Sequence, residues 1–175
     1  MHQSVMDYIA LAAAGDEVLE VGSLDVNGSP RALFPAASRY IGLDMRPGPG
    51  VDVVGMASEL ANWTPAQFDV ALYCETIEHD LTPWLSLAGM ARVLRPGGLL
   101  VVTGRGIDHA YCDECSHGRP HAFGMHGEPN DYWRLTPETL PALLPLFGFR
   151  VLDHRPDPQA PGYFATAIIR EGATP

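Results

Sequence analysis

Short apolar segments alternate along this chain with segments of helical character, and no other feature restricts its fold as much. Residues 5–14 and 82–95 have the spacing and composition of helices, and shorter helices are predicted at 28–37, 58–63 and 136–147. The segments that read as strands are 17–22, 40–44, 51–54, 68–74, 99–103, 149–154 and 163–170. This alternation predicts an α/β fold with a mostly parallel sheet and helices on both faces. The last two strands have no helix between them, so we expect an antiparallel pair at the sheet edge.

The helix at 82–95 has the clearest signals. Thr82 is expected to cap it and Pro83 to occupy its first position, where a missing N–H costs nothing. Arg92 and Arg95 are expected in its last turn, where cations complement the helix dipole. Its expected apolar face consists of Trp84, Leu85, Leu87, Ala88, Ala91 and Leu94. By contrast, Pro141 and Pro145 should distort the helix at 136–147.

The chain has 175 residues, which predicts a single domain spanning 1–175. Residues 104–135 lack periodicity, and that is longer than the ~12–15 residues common for a structureless loop. Because this segment carries several aromatic residues, we interpret it as an active-site loop or lid.

The charge composition excludes several classes of protein. The 11 cationic residues are all arginine, and the 21 acidic residues give a net charge of −10. Without lysine the chain cannot form a P-loop, a kinase site or a Schiff base. The acidic balance argues against nucleic-acid binding and against binding to an anionic membrane surface.

The three cysteines, Cys74, Cys112 and Cys115, are an odd number and do not indicate a disulfide framework. Residues 1–15 have no signal-peptide pattern, and no apolar run approaches the ~20 residues of a membrane span. These observations predict a cytoplasmic protein. Cys74 itself is interpreted as a buried strand residue.

Ligands of open α/β sheets bind beyond the carboxyl ends of the strands. Gly22 follows the first strand and is flanked by Glu20 and Asp25, which suits a ligand with a cationic part, although an acidic surface turn is the alternative. The turn lacks the dinucleotide fingerprint G-x-G-x-x-G. Asp44 ends the second strand, 22 residues later, where a carboxylate can accept from both hydroxyls of a ribose.

In this order, the stretches at the strand ends resemble class I S-adenosylmethionine-dependent methyltransferases, specifically the small bacterial or phage type-11 enzymes. The matching stretches are VLEVGSLDVNG, YIGLDMRPGPGVDVVGMA, FDVALYCETIEH, ARVLRPGGLLVVT and DYWRLTPETL. The resemblance implies a Rossmann-like, three-layer α/β/α fold with a seven-stranded, mostly parallel sheet and an antiparallel last strand. It also implies S-adenosyl-L-methionine as cofactor.

The resemblance implies a role for each matching residue. Glu20 and Gly22 would face the methionine end of the cofactor, Asp44 would hold the ribose hydroxyls, and Met56 and Ala57 would lie beside the adenine. Two positions depart from the family pattern, because Leu24 replaces a second glycine and Met56 an aspartate. The full predicted cofactor-binding set is Glu20, Gly22, Ser23, Asp25, Asp44, Met45, Met56, Ala57 and Glu75.

Methyl transfer requires the protein mainly to position the acceptor and, for a hydroxyl, to remove a proton. Candidate bases are His79, His109, His117, His121, His126 and Asp131, with the pair His126 and Asp131 favoured and His79 next. Tyr132, Trp133 and Arg134 are predicted to shape the acceptor pocket, although burial of the aromatic rings and an acidic partner for Arg134 are equally plausible. For each histidine taken singly, a surface or structural role is more common than a catalytic one.

The acceptor class is narrowed by exclusion. The stretch CETI after the fourth strand differs from the Asp/Asn-Pro-Pro-Tyr of amino-directed DNA methyltransferases, and the cytosine enzymes carry Pro-Cys there. We therefore expect O-methylation of a small molecule or a glycan, with no nucleic-acid or membrane partner. The sequence does not determine the oligomeric state, and a homo-oligomer is one of the possibilities.

Two further interpretations stay open. Cys112, Cys115, His117 and His121 have a spacing that permits a zinc site, with free thiols in a loop as the more common alternative. A methyltransferase fold serving as a non-catalytic binding or assembly module, with or without a zinc-stabilised loop, is also compatible with the sequence.

Overall fold

Alternating strands and helical segments form a seven-stranded mixed sheet in the computed structural model. The structure describes residues 1–108, 121–122, 124 and 130–170, with backbone alone at 108, 121 and 122. The strands are β1 Glu17–Val21, β2 Arg39–Asp44, β3 Val53–Val54, β4 Phe68–Cys74, β5 Leu94–Arg105, β6 Ile107–Asp108, β7 His121–Ala122, β8 Phe149–Pro156 and β9 Gly162–Ile169. The α-helices are α1 Gln3–Leu11, α2 Pro83–Val93 and α3 Thr139–Leu143.

The strand order in the main sheet is β3-β2-β1-β4-β5-β9-β8, and β6 pairs separately with β7. Strands β1 to β5 are mutually parallel where they pair, whereas β9 runs antiparallel to both β5 and β8. The expected parallel sheet with an antiparallel last strand is therefore confirmed. The carboxyl ends of β1 to β5 lie along one edge of the sheet.

Both faces of the central strands are buried, because successive side chains of a strand point to opposite sides. Val70 and Leu72 of β4 pack with Val5 and Ile9 of α1 on one face. Ala71 and Tyr73 of the same strand contribute to the larger core on the opposite face, which includes α2 and α3 residues. Helical elements therefore cover the sheet on both sides, as predicted.

The helices differ from their predicted lengths. The segment at 28–37 shortens to the 3-10 helix Pro30–Leu33, and the segment at 58–63 forms the 3-10 helix Ala57–Asn62, which has the predicted length but begins one residue earlier. The predicted helix at 136–147 splits into α3 and the 3-10 helix Leu144–Phe147, which has proline in its first turn. Proline removes a backbone donor and clashes with the preceding turn, which explains the split.

The prediction for α2 was wrong in three details. Its Trp84 and Leu85 side chains are exposed, so they do not belong to the buried face. Thr82 makes no side-chain capping bond, although Pro83 does occupy the first turn. The helix ends at Val93, which places Arg95 in β5, where its guanidinium binds the Asp69 carboxylate at 2.5 Å.

Candidate cofactor and acceptor cleft

A cleft of about 580 Å³ opens at the carboxyl ends of β1, β2 and β4. Parallel strands bring these ends to one edge, where the loops that follow them diverge and leave space for a ligand. The predicted site residues that line it are Glu20, Gly22, Ser23, Asp44, Met45, Met56, Ala57, Glu75, His79 and Tyr132. Residues separated by more than one hundred positions in sequence thus share one cavity.

Gly22 makes the tight turn that the sequence predicts. Its φ is +82°, and its N–H donates to the Leu43 carbonyl at 2.8 Å. A Cβ at this position would lie 2.0 Å from Thr76 Oγ1, whose hydroxyl donates to the Cys74 carbonyl at 2.9 Å. Glycine is required here both by the backbone conformation and by the close approach of the loop after β4.

Glu20 is a buried acid on the wall of the cleft. Its side chain accepts a hydrogen bond from the Tyr40 hydroxyl at 2.8 Å. Burial raises the pKa of Glu20 to about 7, while the Tyr40 hydrogen bond acts in the opposite direction. Burial makes this carboxyl group costly to ionise by itself. A ligand with a positive charge would stabilise the ionised form, so the site favours a cationic ligand group.

Asp44 is held by the backbone on both sides. Its Oδ2 accepts from the Leu24 amide at 3.1 Å, and its Oδ1 accepts from the Arg46 amide at 2.9 Å. A carboxylate oxygen has two lone-pair sites, so each oxygen keeps capacity for a further donor. The two backbone bonds therefore orient a carboxylate suited to a pair of hydroxyls.

Two methionines form an apolar part of the wall. Met45 follows Asp44 and Met56 precedes the 3-10 helix Ala57–Asn62, and both side chains are substantially exposed. Thioether side chains adapt to flat rings and contact them favourably. This surface suits an adenine, as the sequence predicts for Met56 and Ala57.

Asp25 does not line the cleft. Its carboxylate accepts from the Gly28 amide at 2.7 Å and borders a neighbouring depression with Ser29, Arg31 and Asp52. The carboxylate thus accepts from the backbone three residues on and satisfies a donor of its own loop.

Glu75 has an uncommon backbone conformation, with φ +52°. Thr103 supports it twice, because its carbonyl accepts from the Glu75 amide at 3.0 Å and its hydroxyl donates to Glu75 Oε1 at 2.9 Å. The Arg105 guanidinium contacts the other carboxylate oxygen. Burial raises the pKa of Glu75, with Glu78 acting in the same direction and Arg105 against it.

Arg105 is a site residue that the sequence interpretation missed. Its side chain is 1% exposed, lines the cleft and pairs with the fully buried Asp157 at 2.9 Å. One signal could have found it, since Arg105 lies two residues beyond the end of the predicted fifth strand. Its partner Asp157 could not have been found, because it comes from the loop between β8 and β9.

His79 lies in the 3-10 helix Ile77–His79 and faces the cleft. Its Nδ1 contacts the Asn130 carbonyl oxygen. A carbonyl only accepts, so Nδ1 carries the proton and Nε2 is the basic nitrogen of the neutral ring.

Asp80 fixes the loop that carries His79. Its carboxylate accepts from the Tyr73 hydroxyl at 2.6 Å and from the Thr82 amide at 2.8 Å. Its carbonyl accepts from Trp133 Nε1 at 2.7 Å. These bonds tie the loop to β4, to the start of α2 and to the segment 130–135.

Asp131 is engaged with a cation. Its carboxylate is 1% exposed and binds Arg134 through two bonds of 2.5 and 2.7 Å. Neither residue lines the cleft, and the acidic partner of Arg134 matches the alternative weighed above. Trp133 lies beside the cleft rather than in its wall, whereas Tyr132 lines it.

Several predicted residues fall outside the described part of the chain. These are the candidate bases His109, His117 and His126 and the candidate zinc ligands Cys112, Cys115 and His117, while His121 is described by its backbone alone in β7. Within residues 1–107 and 130–170, the side chains form no group of three or more potential metal ligands. Cys74 is buried, as predicted, and burial raises the pKa of its thiol. No helix in those same ranges is long and apolar enough to cross a bilayer.

Part of the chain is similar in sequence to known methyltransferases. Residues 18–102 match the family model described as a methyltransferase domain. An uncharacterized methyltransferase of Mycobacterium ulcerans is 37% identical, over 53% of this chain and 42% of that protein. The segment matched by the family model, residues 18–102, contains nearly all of β1, the strands β2 to β4, the helix α2 and most of β5.

Solved structures share the fold. A 1,6-didemethyltoxoflavin-N1-methyltransferase of Burkholderia thailandensis, solved with S-adenosylhomocysteine, superimposes with a TM-score of 0.70 at 22% identity, over 95% of this chain and 76% of that one. A chain from the complex of the Haloferax volcanii Trm112 methyltransferase activator with a methyltransferase gives 0.71 at 16% identity, over 98% and 91%.

Residues 18–102 are therefore similar in sequence to a methyltransferase domain, and the chain shares its fold with solved methyltransferase structures. The chain spans less than half the length of the curated relative from Mycobacterium ulcerans.

Proposed function

We propose that this protein transfers the methyl group of S-adenosyl-L-methionine to a hydroxyl of a small molecule or a glycan, in the cytoplasm. The observation that carries the proposal is the cleft at the strand ends, where Glu20, Gly22, Asp44 and Glu75 converge although they come from three separate strands and their loops. The net charge of −10 supports an acceptor other than a nucleic acid.

The residues of the cleft fit the cofactor. The space kept open at Gly22 would admit the methionine end against the backbone, with the buried Glu20 carboxyl nearby for its ammonium. Asp44, oriented by two amides, would accept from the ribose hydroxyls, and Met45 and Met56 would flank the adenine. Bound there, the cofactor supplies a methyl group already activated on a sulfonium.

The acceptor side of the cleft carries His79. We assign it the role of general base, because Nε2 is the basic nitrogen in the tautomer fixed by the Asn130 carbonyl. The acceptor's hydroxyl proton would move to Nε2 as its oxygen attacks the methyl group. The pair His126 and Asp131 is the alternative proposal, but it competes with the two bonds that Asp131 makes to Arg134.

The test is calorimetric binding of S-adenosylmethionine to the wild type and to Asp44→Ala. Loss of the ribose hydrogen bonds should weaken binding by about 1–3 kcal/mol, roughly 5- to 150-fold. Asp7→Ala is the matched control, since Asp7 is an exposed acid on α1 outside the cleft. Absence of binding to the wild type at millimolar cofactor would contradict the proposal, and an unchanged affinity in Asp44→Ala would contradict the ribose assignment.

Binding without turnover would instead favour the non-catalytic binding module. To separate the two, the protein is incubated with labelled cofactor and a panel of phenols, alcohols and glycosides, and methylated products are identified by mass. His79→Gln should reduce product formation and leave the cofactor affinity unchanged, because its ring is assigned to the acceptor rather than to the cofactor.

A further inference from the structure

A group of exposed apolar side chains lies next to the cleft, and the function proposed above does not explain it. It consists of Leu81, Trp84, Leu85, Tyr132 and Trp133, which we call the aromatic shelf. Trp84 is 45% exposed and Trp133 is 40% exposed. Contiguous exposed apolar surface is costly in water and commonly marks a binding site.

Hydrogen bonds to the protein fix the positions of Tyr132 and Trp133. Trp133 Nε1 donates to the Asp80 carbonyl at 2.7 Å, and the Tyr132 hydroxyl donates to Asn130 Oδ1 at 2.9 Å. The backbone amides of Tyr132 and Trp133 both donate to the Glu78 carbonyl, at 2.8 and 3.2 Å. The shelf therefore presents ring faces whose orientation is set before any ligand binds.

Trp84 completes the arrangement from α2. Its ring meets that of Trp133 edge to face, with centroids 6.1 Å apart and an interplanar angle of 72°. Two indoles at this angle form a corner with two apolar walls. A flat ring inserted into such a corner can stack on one wall and meet the other with its edge, which are the two favoured geometries of aromatic pairs.

The shelf is continuous with the acceptor side of the cleft. Leu81 and Tyr132 belong to both, and Asp80, which lines the cleft, holds Trp133 through its carbonyl. His79 is the neighbour of Asp80 in the chain. A molecule whose hydroxyl reaches His79 would therefore lay its remaining atoms on the shelf.

We propose that the aromatic shelf binds a flat aromatic ring of the methyl acceptor, so that the acceptor is a small molecule with its hydroxyl on or beside such a ring. This proposal rests on the function proposed above and narrows its acceptor class. A ring fits better than a sugar, because the Trp133 N–H and the Tyr132 hydroxyl already donate within the protein, and the surface left to the ligand is mainly apolar.

The probe is 2-naphthol, which combines an aromatic ring with a hydroxyl, and methyl β-glucoside is the comparison. Binding is measured by equilibrium dialysis, with and without S-adenosylhomocysteine, for the wild type, Trp84→Ala and Trp133→Ala. We expect saturable naphthol binding to the wild type, at least fivefold weaker in each variant, and no saturable glucoside binding. Leu146→Ala is the matched control, since Leu146 is 76% exposed and lies outside the cleft and the shelf.

Circular dichroism and the urea midpoint establish that each variant is folded, and Trp84→Ala, on an exposed helical position, is the safer of the two. Absence of naphthol binding to the wild type, or binding to both variants that is as strong as to the wild type, would overturn the proposal, and so would glucoside binding that depends on Trp84. Cofactor affinity is measured on the same samples and should not change. A protein that binds naphthol on the shelf but no cofactor would contradict methyl transfer, and with it the assignment of the ring to a methyl acceptor.

Discussion

Replacement of Gly22 by alanine tests the geometry on which the cleft depends. Two costs should combine in this variant. A positive φ is unfavourable for an L side chain by about 1–2 kcal/mol. In addition, the new Cβ would meet Thr76 Oγ1 at 2.0 Å and Cγ2 at 2.6 Å, far inside contact distance. Overpacking of this kind costs about 1–3 kcal/mol, so the free energy of unfolding should fall by about 2–5 kcal/mol in total.

Gly97 supplies the control that separates the two costs. Its φ is +78°, close to that of Gly22, but a Cβ there would meet nothing within 4 Å. Gly97→Ala should therefore show the backbone cost alone. The difference between the two variants, measured by urea unfolding, isolates the clash with Thr76.

A double-mutant cycle identifies the clashing partner. Thr76→Ala removes both atoms nearest to the new Cβ, at the cost of about 1 kcal/mol for its lost hydrogen bond to Cys74. Gly22→Ala combined with Thr76→Ala should be less destabilised than the sum of the single variants by about 1 kcal/mol or more. Strict additivity, or equal effects of Gly22→Ala and Gly97→Ala, would refute the reasoning.

Three further outcomes follow from the electrostatics of the cleft. Burial raises the pKa of Glu20 from 4.5 to about 7, so the folded state binds more protons than the unfolded state between those pH values. The free energy of unfolding should therefore fall as the pH rises from 4.5 to about 7. Glu20→Gln should flatten this part of the plot of urea midpoint against pH, and an unaltered slope would contradict the assignment. Arg105→Met should lower the free energy of unfolding by about 3–5 kcal/mol, because it leaves buried carboxylates without their cation. Adding Asp157→Asn to this variant should restore part of the loss, measured by urea unfolding. In ¹⁵N NMR spectra at a pH where the ring is neutral, His79 should carry its proton on Nδ1, and a ring protonated on Nε2 would argue against the proposed base.

Much of the fold was predictable because its signals are local. The strands β1, β2, β4 and β5 are apolar runs bounded by turn residues, and their alternation with helices implies parallel pairing. Gly22 and Asp44 were recognisable from their places just beyond strand ends, and both line the cleft. The lengths of the helices were harder to predict, since the stability of a single turn depends on what it packs against.

Other parts of the site depend on contacts between distant residues. Arg105 meets Asp157 across 52 positions, and His79 meets the Asn130 carbonyl across 51. No spacing rule connects such partners. The periodicity of α2 assigned Trp84 to its buried face, whereas the folded chain leaves that side chain exposed against Trp133.

The sequence alone determined the class of fold, the edge of the sheet at which the cleft opens and three of the acids that line it, Glu20, Asp44 and Glu75, because periodicity and strand ends are properties of neighbouring residues. Only the tertiary structure decided that Asp25 serves its own loop, that Asp131 is bound to Arg134 and that two indoles stand beside the cleft. Those outcomes depend on which side chains compete for one partner in space. The outcome of this competition depends on packing and on the cost of burying an unpaired charge. Neither quantity can be read from the pattern of neighbouring residues in the sequence.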